Sequence, residues 1–150
     1  MEEKKTVTLS SEVLGPHIEA IVSQGGSFTL TVTGGSMVPT LRHLKSTVVL
    51  VKPDDLRPGD IVFFRRKTGA YILHRILRVR GTELTVNGDA QSWTETVDIS
   101  QVIAKAASYT TCGRTYTCGT PSQQAYHHLW HLTRPLRPML LKAYSALKKK

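Results

Sequence analysis

The sequence predicts a mainly β protein, built on a coiled antiparallel sheet or barrel, with a short N-terminal helix and basic C-terminal helices. Residues 27–104 alternate short runs rich in β-branched and aromatic side chains with turns of Gly, Pro and Asp, a pattern typical of antiparallel sheets. Apolar residues follow helical spacing before this region, and again among lysines and arginines after residue 121. We therefore divide the chain into a β-domain with its N-terminal helix, residues 1–110, and a basic helical extension, residues 111–150.

Residues 10–23 are predicted to form the N-terminal helix. Either of the serines at its start can cap it, and Gln24-Gly25-Gly26 can end it. The dipeptide Gly15-Pro16 interrupts the pattern, so we expect regular helix only from Pro16 onward. The apolar positions of this helix are Val13, Leu14, Ile18, Ile21 and Val22.

The predicted strands are separated by short turns, and Arg66-Lys67-Thr68-Gly69 favours a hairpin between the third and fourth strands. From Pro121 we expect one or two basic amphipathic helices, broken near Pro135 and Pro138 because proline cannot donate the helical hydrogen bond. We place the strands at residues 27–33, 47–51, 60–65, 70–79, 83–86 and 97–104.

The positive charge of the chain is concentrated at its C-terminal end. The formal net charge is +9, yet residues 99–150 contain eight Lys and Arg and no Asp or Glu, which favours an anionic partner. One interpretation is that the helices lie on an anionic membrane surface; the other is that their apolar side packs on the β-domain. Nucleic acid is disfavoured because no helix-turn-helix or stacking-aromatic pattern accompanies the charge. In the membrane interpretation, the side chains that enter the interface are Trp130, Leu136, Leu140 and Leu147.

The sequence also allows predictions of the cellular compartment and of metal binding. It has no apolar run long enough to cross a membrane, and its first residues lack the apolar segment of a secretory signal. We expect a cytoplasmic protein, peripheral to the membrane if the tail binds lipid. Cys112 and Cys118 could pair across a hairpin, although free thiols are expected in a reducing compartment. His127 and His131 follow at a helical spacing that could bind a metal. The gap between the two cysteines is wider than in the usual zinc-finger pair, however, so we predict no metal and no cofactor.

Ser36 is the candidate nucleophile. It follows Gly34-Gly35 and precedes Met37, and glycines at such a turn allow the close approach of a substrate. The backbone N–H groups of Ser36 and Met37 could stabilise an oxyanion. The alternative is that Gly-Gly-Ser is only a turn after a strand.

A histidine and a carboxylate could complete a serine-dependent site. His74 lies in a predicted strand on the same side as two isoleucines, where it is either a general base or a core residue. Asp89 follows Asn87-Gly88, so it is either the carboxylate that orients His74 or an exposed turn residue. Glu95 and Asp98 are the substitutes if Asp89 points elsewhere.

Four segments of the chain resemble, in the same order, the type I signal peptidase superfamily, which also includes the self-cleaving LexA-type repressors. The resemblance spans about residues 28–106. It implies a coiled, largely antiparallel β-fold of the signal-peptidase-like type and a serine peptidase activity. The four segments are Ser36-Met37-Val38-Pro39-Thr40-Leu41, Pro58-Gly59-Asp60-Ile61-Val62, His74-Arg75-Ile76 and Gly88-Asp89-Ala90.

Bacterial members of this superfamily usually pair the serine with lysine, whereas the ER-type and archaeal branch uses histidine in a His-Arg segment followed by Gly-Asp. The sequence is similar to the second branch. The resemblance therefore implies Ser36 as nucleophile, His74 as general base and Asp89 as the carboxylate partner, although members differ in which downstream aspartate faces the histidine. Typical signal peptidases carry an N-terminal membrane anchor, and this sequence has a short helix in that place, so removal of signal peptides is not expected.

The function expected from these observations is that of a serine endopeptidase that cleaves a peptide or a precursor protein, in peptide maturation. The substrate would lie extended along a strand edge beside Tyr71, Ile72 and Leu73, using main-chain hydrogen bonds. The alternative is a catalytically inactive module of the same fold that binds a peptide or a protein partner.

Overall fold

The structure, a computed structural model, describes residues 11–148. The predicted mainly β fold with an N-terminal helix and C-terminal helices is confirmed. None of the helices in this part of the chain is long and apolar enough to span a membrane. In chain order the elements are α1 (Ser11–Ser23), β1 (Phe28–Thr31), β2 (Thr47–Val51), β3 (Ile61–Arg65), β4 (Tyr71–Arg80), β5 (Glu83–Asn87), β6 (Glu95–Asp98), a 3₁₀ helix (Ile99–Gln101), β7 (Val102–Thr111), β8 (Arg114–Thr117), α2 (Pro121–Leu132), a second 3₁₀ helix (Arg134–Leu136) and α3 (Arg137–Lys148).

The eight described strands join one antiparallel sheet. Their order is β1-β2-β7-β3-β4-β5-β6, and β8 pairs with β7. β7 is the central strand, because it pairs with β2 along one edge and with β3 and then β8 along the other. Register shifts in the β2–β7, β3–β7 and β4–β5 pairs bend the strands. The sheet coils without closing into a barrel, and β1 and β6 are its two outer strands.

The coiled sheet buries apolar side chains on both faces. Strand β3 shows this most clearly, since four consecutive residues of it are buried. Ile61 and Phe63 pack in a first core that α1 covers, whereas Val62 and Phe64 pack in a second core made with β5 and β6. Alternation along a strand sends successive side chains to opposite faces. Neighbouring residues of β3 and β4 therefore enter different environments.

The N-terminal helix differs from its prediction at one point. Regular helix was expected only from Pro16, but α1 begins before this residue and continues through it, so that expectation is wrong. Ile18 and Val22 are buried against the sheet, and this burial outweighs the hydrogen bond that proline removes. Gly15 lets the ring of Tyr71 approach the helix closely, because a Cβ atom at this position would lie 2.3 Å from that ring and the ring would have to move.

The last predicted strand, residues 97–104, belongs to two strands in the structure. β6 ends at Asp98 and β7 begins at Val102, with a 3₁₀ helix between them. The Asp98 carboxylate accepts a hydrogen bond of 2.9 Å from the Ser100 amide, and the Gln101 side chain accepts one of 2.9 Å from the Asp98 amide. This reciprocal capping box appears in the sequence as Asp-x-x-Gln, and it marks the break between the strands.

The chain stays in the sheet beyond residue 110, where the β-domain was predicted to end. β7 continues to Thr111 and forms a hairpin with β8, with Cys112 and Gly113 at the turn. The chain then enters α2. A 3₁₀ helix that contains Pro135 separates α2 from α3, which agrees with the predicted break.

The loop between β1 and β2 packs against the turn that follows β5. The Ser36 carbonyl accepts a hydrogen bond of 2.9 Å from the Ala90 amide. Gly88 lies so close to this carbonyl that a Cβ atom on it would be only 2.5 Å from the oxygen. Because β5 ends at Asn87, which pairs with Arg75 of β4, the contact sets the Ser36 loop beside that part of β4.

Replacing Gly88 by alanine is expected to lower the free energy of unfolding by about 1–3 kcal/mol, because the added methyl group must push the Ser36 loop away from the turn. Urea unfolding followed by circular dichroism measures this change. Gly35→Ala is the matched control, since a Cβ atom at position 35 would meet only the Val38 side chain, at 4.0 Å. Equal stability of the two variants would contradict the close packing at Gly88.

Candidate active site

Ser36 lies in the loop between β1 and β2, next to a cavity of about 160 Å³. Backbone hydrogen bonds shape the loop, from the Val38 amide to the Gly35 carbonyl at 3.2 Å and from the Leu41 amide to the Met37 carbonyl at 2.9 Å. Met37 is buried in the first core and anchors the loop there. Within residues 11–148, the amides of Ser36 and Met37 donate to no backbone carbonyl. Neither N–H group is therefore used by the backbone hydrogen bonds that shape the loop.

The cavity next to Ser36 is lined mainly by apolar side chains from β1, β4 and the loop between β1 and β2. Tyr71, Ile72 and Leu73, which were predicted to lie beside a substrate, all belong to this lining. Tyr71 stacks on Phe63 with ring centroids 5.6 Å apart. The other lining residues are Leu14, Leu30, Thr31, Val32, Thr33, Met37 and Phe63.

His74 projects from β4 into the second core. It lies opposite Val62 of β3, and its ring meets that of Phe64 edge-on, with centroids 5.9 Å apart. Burial lowers the pKa of His74 to about 4, and the nearby Glu95 carboxylate opposes this shift without overcoming it. The imidazole is therefore neutral at pH 7, as a general base must be.

Glu95, at the start of β6, is the carboxylate that faces His74. Its Oε1 atom lies 3.3 Å from His74 Nδ1, a contact that does not meet hydrogen-bond geometry. Glu95 also accepts two hydrogen bonds from Arg66, from Nε at 3.1 Å and from Nη2 at 2.7 Å. This two-point contact holds the carboxylate beside the imidazole. On sequence grounds Glu95 was only a substitute for Asp89.

Asp89 lies on the other side of β4, paired with Arg75. Arg75 Nε lies 2.9 Å from Asp89 Oδ1, and Nη2 lies 2.9 Å from Oδ2. Burial tends to lower the pKa of Arg75, but the Asp89 charge more than compensates and raises it. Since His74 and Arg75 are consecutive in a strand, they face opposite sides, and the structure brings Asp89 to the arginine. Asp98, the other substitute, caps the 3₁₀ helix through Ser100.

The Arg75–Asp89 pair is the centre of a buried polar cluster. The Thr40 hydroxyl donates to the Asp89 carboxylate, and the Thr40 oxygen lies 2.7 Å from the Tyr126 hydroxyl. Trp130 Nε1 donates to the Asp89 backbone carbonyl at 2.7 Å. The cluster therefore joins β4, the β1–β2 loop, the turn after β5 and helix α2.

Arg137 ties the start of α3 to the same turn. Its side chain is buried and donates to the Asn87 side-chain oxygen, to the Gln91 carbonyl at 2.8 Å and to the Trp130 carbonyl at 3.1 Å. Trp130 thus packs inward under the Arg137 guanidinium, 5.2 Å from its ring centroid, and does not face outward as the membrane interpretation expected. The sequence carried no signal for Arg137, because a buried arginine and an exposed one look alike in a basic segment.

The histidines and cysteines of the C-terminal segment do not form a metal-binding cluster in the described residues. Within residues 11–148, no group of three or more His, Cys, Asp and Glu side chains is placed to hold a metal ion. Burial lowers the pKa of His127 to about 4. Cys112 and Cys118 are both free, and burial raises the pKa of the Cys118 thiol to about 11, which makes it a poor nucleophile at pH 7.

Asp89→Asn is expected to lower the free energy of unfolding by about 3–5 kcal/mol, because it leaves the Arg75 guanidinium buried without its counter-charge. Urea unfolding at pH 7 measures the loss. Asp55→Asn is the matched control: Asp55 pairs with Arg57 at 2.7 Å, but these side chains are 70% and 71% exposed, so the change stays within about 0.5 kcal/mol. A loss at Asp89 as small as that at Asp55 would mean that the buried pair does not hold the fold together.

Comparison with known proteins places this fold and site in a family. The sequence model of the family described as Peptidase S24-like matches residues 2–105, about two thirds of the chain. This range contains Ser36, His74, Asp89 and Glu95, whereas β8, α2 and α3 follow it. Searches among curated proteins and among solved structures found no match. The family match and the antiparallel sheet agree, and the chain belongs to the Peptidase S24-like family, within the superfamily of LexA-like and signal-peptidase-like proteins.

Proposed function

We propose that the protein is a serine endopeptidase in which Ser36 is the nucleophile, His74 the general base and Glu95 the carboxylate that orients His74. The observation that carries the proposal is the distance of 3.3 Å between Glu95 Oε1 and His74 Nδ1. With Nδ1–H turned toward Glu95, the neutral imidazole presents Nε2 as the proton acceptor. This is the tautomer that a serine nucleophile needs.

Two features support a position of the Ser36 loop along the segment of β4 that carries this base. The close contact with Gly88 sets the loop beside Arg75, the residue after His74. Ile72, two residues before His74 and on the same face of the strand, lines the cavity together with Ser36, whereas Tyr71 and Leu73 line it from the opposite face. No hydrogen bond joins the Ser36 hydroxyl to His74 within the described part of the chain. Such bonds are often long in a free enzyme and shorten when a substrate binds.

The proposed reaction follows from these positions. Ser36 Oγ attacks the scissile carbonyl carbon while His74 takes the hydroxyl proton, and the imidazolium that forms is stabilised by Glu95. The amides of Ser36 and Met37 stabilise the tetrahedral oxyanion. His74 then donates its proton to the leaving amine. Finally, His74 takes a proton from a water molecule whose oxygen attacks the acyl carbon. The bond from that carbon to Ser36 Oγ breaks, and His74 returns the proton to Oγ as the acid product leaves.

A peptide or precursor-protein substrate fits the free edge of β1. Within the described sheet, β1 pairs with β2 alone, so its other edge offers main-chain groups to an added strand. The cavity of about 160 Å³ beside Ser36 would take an apolar side chain of that peptide. This arrangement supports the binding of an extended peptide, and we propose that its cleavage is a step in peptide maturation.

The second candidate function is a catalytically inactive module that binds a peptide or a protein partner through the same cavity. One observation favours it: a histidine whose pKa burial lowers to about 4 is a weak base at pH 7. Glu95 is also shared with Arg66, which reduces the charge that it presents to His74. Covalent labelling separates the two candidates.

Ser36→Ala and His74→Ala are each expected to abolish labelling by a serine-reactive acylating probe, because the first removes the nucleophile and the second removes its base. Intact-mass spectrometry detects the adduct, and circular dichroism verifies that each variant is folded. Ser92→Ala is the control: it changes an exposed serine, and this variant is expected to be labelled as the wild type is. An adduct that persists in Ser36→Ala would refute the mechanism, and a folded wild-type protein that takes no label would favour the binding module.

The labelling rate is expected to rise with pH through about 4 and to level off above it, because only neutral His74 accepts the serine proton and burial lowers its pKa to about 4. Glu95→Gln removes the negative charge that opposes this shift, so the pKa falls further and the acid limb moves to lower pH. The plateau rate falls about 10²-fold or more, because the imidazole loses the group that fixes its tautomer.

Initial labelling rates across the pH range of the folded protein measure both quantities. Asp98→Asn is the control, because this exposed carboxylate accepts its hydrogen bond from the Ser100 amide. This variant is expected to leave the acid limb and the plateau unchanged. An acid limb at the ordinary histidine pKa of 6.5, or one that Glu95→Gln moves to higher pH, would contradict the roles given to His74 and Glu95.

A further inference from the structure

The C-terminal helices expose six large apolar side chains to solvent. Their exposed fractions range from 38% for Leu140 to 76% for Leu132. When many large apolar side chains are exposed together, they often mark a site of interaction with a protein or a membrane. We call this set the outer apolar face; its members are Leu129, Leu132, Leu136, Met139, Leu140 and Leu147.

On α2 the outer apolar face lies away from the side that packs on the β-domain. His127 is buried, and Trp130 donates its hydrogen bond to the Asp89 carbonyl, so these two residues mark the packed side. Leu129 and Leu132 are 66% and 76% exposed and follow each other at a spacing of three, which puts them on one side of the helix.

On α3 Arg137 and Tyr144 mark the packed side. Arg137 is buried, and Tyr144, seven residues later and thus on the same side, lies under the Arg42 guanidinium at 5.8 Å. Leu140 and Leu147 follow these two residues at a spacing of three, at the margin of the packed side, and they are 38% and 74% exposed.

The charges near the outer apolar face have one sign. The sequence contains no Asp or Glu after Asp98, and residues 148–150 are three lysines. Arg134 is half-buried and Lys142 is exposed, and Lys142 follows Met139 at a spacing of three, which puts both on one side of α3. Two copies of this face would bring like charges together, which disfavours self-association. An apolar stripe flanked by Lys and Arg fits the interface of a membrane that carries negative lipids.

We propose that the outer apolar face docks on an anionic lipid bilayer, with its leucine and methionine side chains in the interface and Arg134 and Lys142 at the lipid phosphates. Trp130 and Arg137 join the same helices to the turn of Asp89. Docking would therefore hold the candidate active site at the membrane surface. The proposal does not depend on catalysis by Ser36.

Co-sedimentation of the full chain with vesicles tests this docking. Wild-type protein is expected to bind vesicles of phosphatidylcholine and phosphatidylglycerol at least about tenfold more strongly than vesicles of phosphatidylcholine alone, and added salt weakens this binding. The triple variant Leu132→Gln/Leu136→Gln/Met139→Gln lowers the partition coefficient about tenfold or more. Val13→Gln, at an apolar residue of α1 that is 51% exposed, is the matched control and leaves binding unchanged.

A charge reversal tests the electrostatic part separately. Lys142→Glu is expected to weaken binding to the anionic vesicles about fivefold or more, whereas Lys52→Glu, an exposed lysine after β2, has little effect.

Three results would overturn the proposal: no binding of the wild type to anionic vesicles, equal binding of the wild type and the triple variant, or a wild-type dimer that the triple variant loses in the absence of any vesicle binding. The last result would assign the outer apolar face to a second copy of the chain.

Discussion

The buried ion pair between Arg75 and Asp89 is the interaction on which the other parts of the site depend. Burying two charges costs free energy, and the cost is offset only where the geometry is bidentate and the remaining lone pairs have donors. Here both guanidinium contacts measure 2.9 Å, Thr40 donates to the carboxylate, and Trp130 donates to the Asp89 carbonyl. A strand, a loop, a turn and a C-terminal helix must therefore be in place together. This requirement explains why helices beyond the family match pack against the turn after β5.

The alternation of β4 gives the two carboxylates near the site different roles. His74 and Arg75 are adjacent in the sequence but face opposite sides of the coiled sheet, so each needs its own partner. The arginine keeps its charge in the interior because Asp89 neutralises it. The histidine lies in an apolar core where burial removes its proton at neutral pH, and Glu95 approaches it from β6. One carboxylate thus maintains the fold, and the other is positioned to assist a base.

The C-terminal helices reverse the usual arrangement of an amphipathic helix, which buries its apolar side. Their packed side carries donors such as Trp130 Nε1 and the Arg137 guanidinium, because it meets backbone carbonyls in the turn after β5 that need partners. Six large apolar side chains are left exposed to solvent. The two interpretations of the basic tail, packing on the β-domain or binding a membrane, therefore concern different sides of the same helices and do not exclude each other.

Several features depend on near neighbours in the chain and could be predicted from the residues alone: the alternation that makes the strands, the helical spacing at both ends, the glycine-rich loop of Ser36 and the position of His74 within a strand. Even the break before β7 is encoded locally, in the capping box of Asp98. Which carboxylate meets the histidine, and which arginines are buried, depends on how the sheet coils. These contacts join residues far apart in the chain, 14 positions for Arg75 and Asp89 and 50 for Arg137 and Asn87. Local pattern contains no record of such pairs, because the coiling of the sheet brings them together.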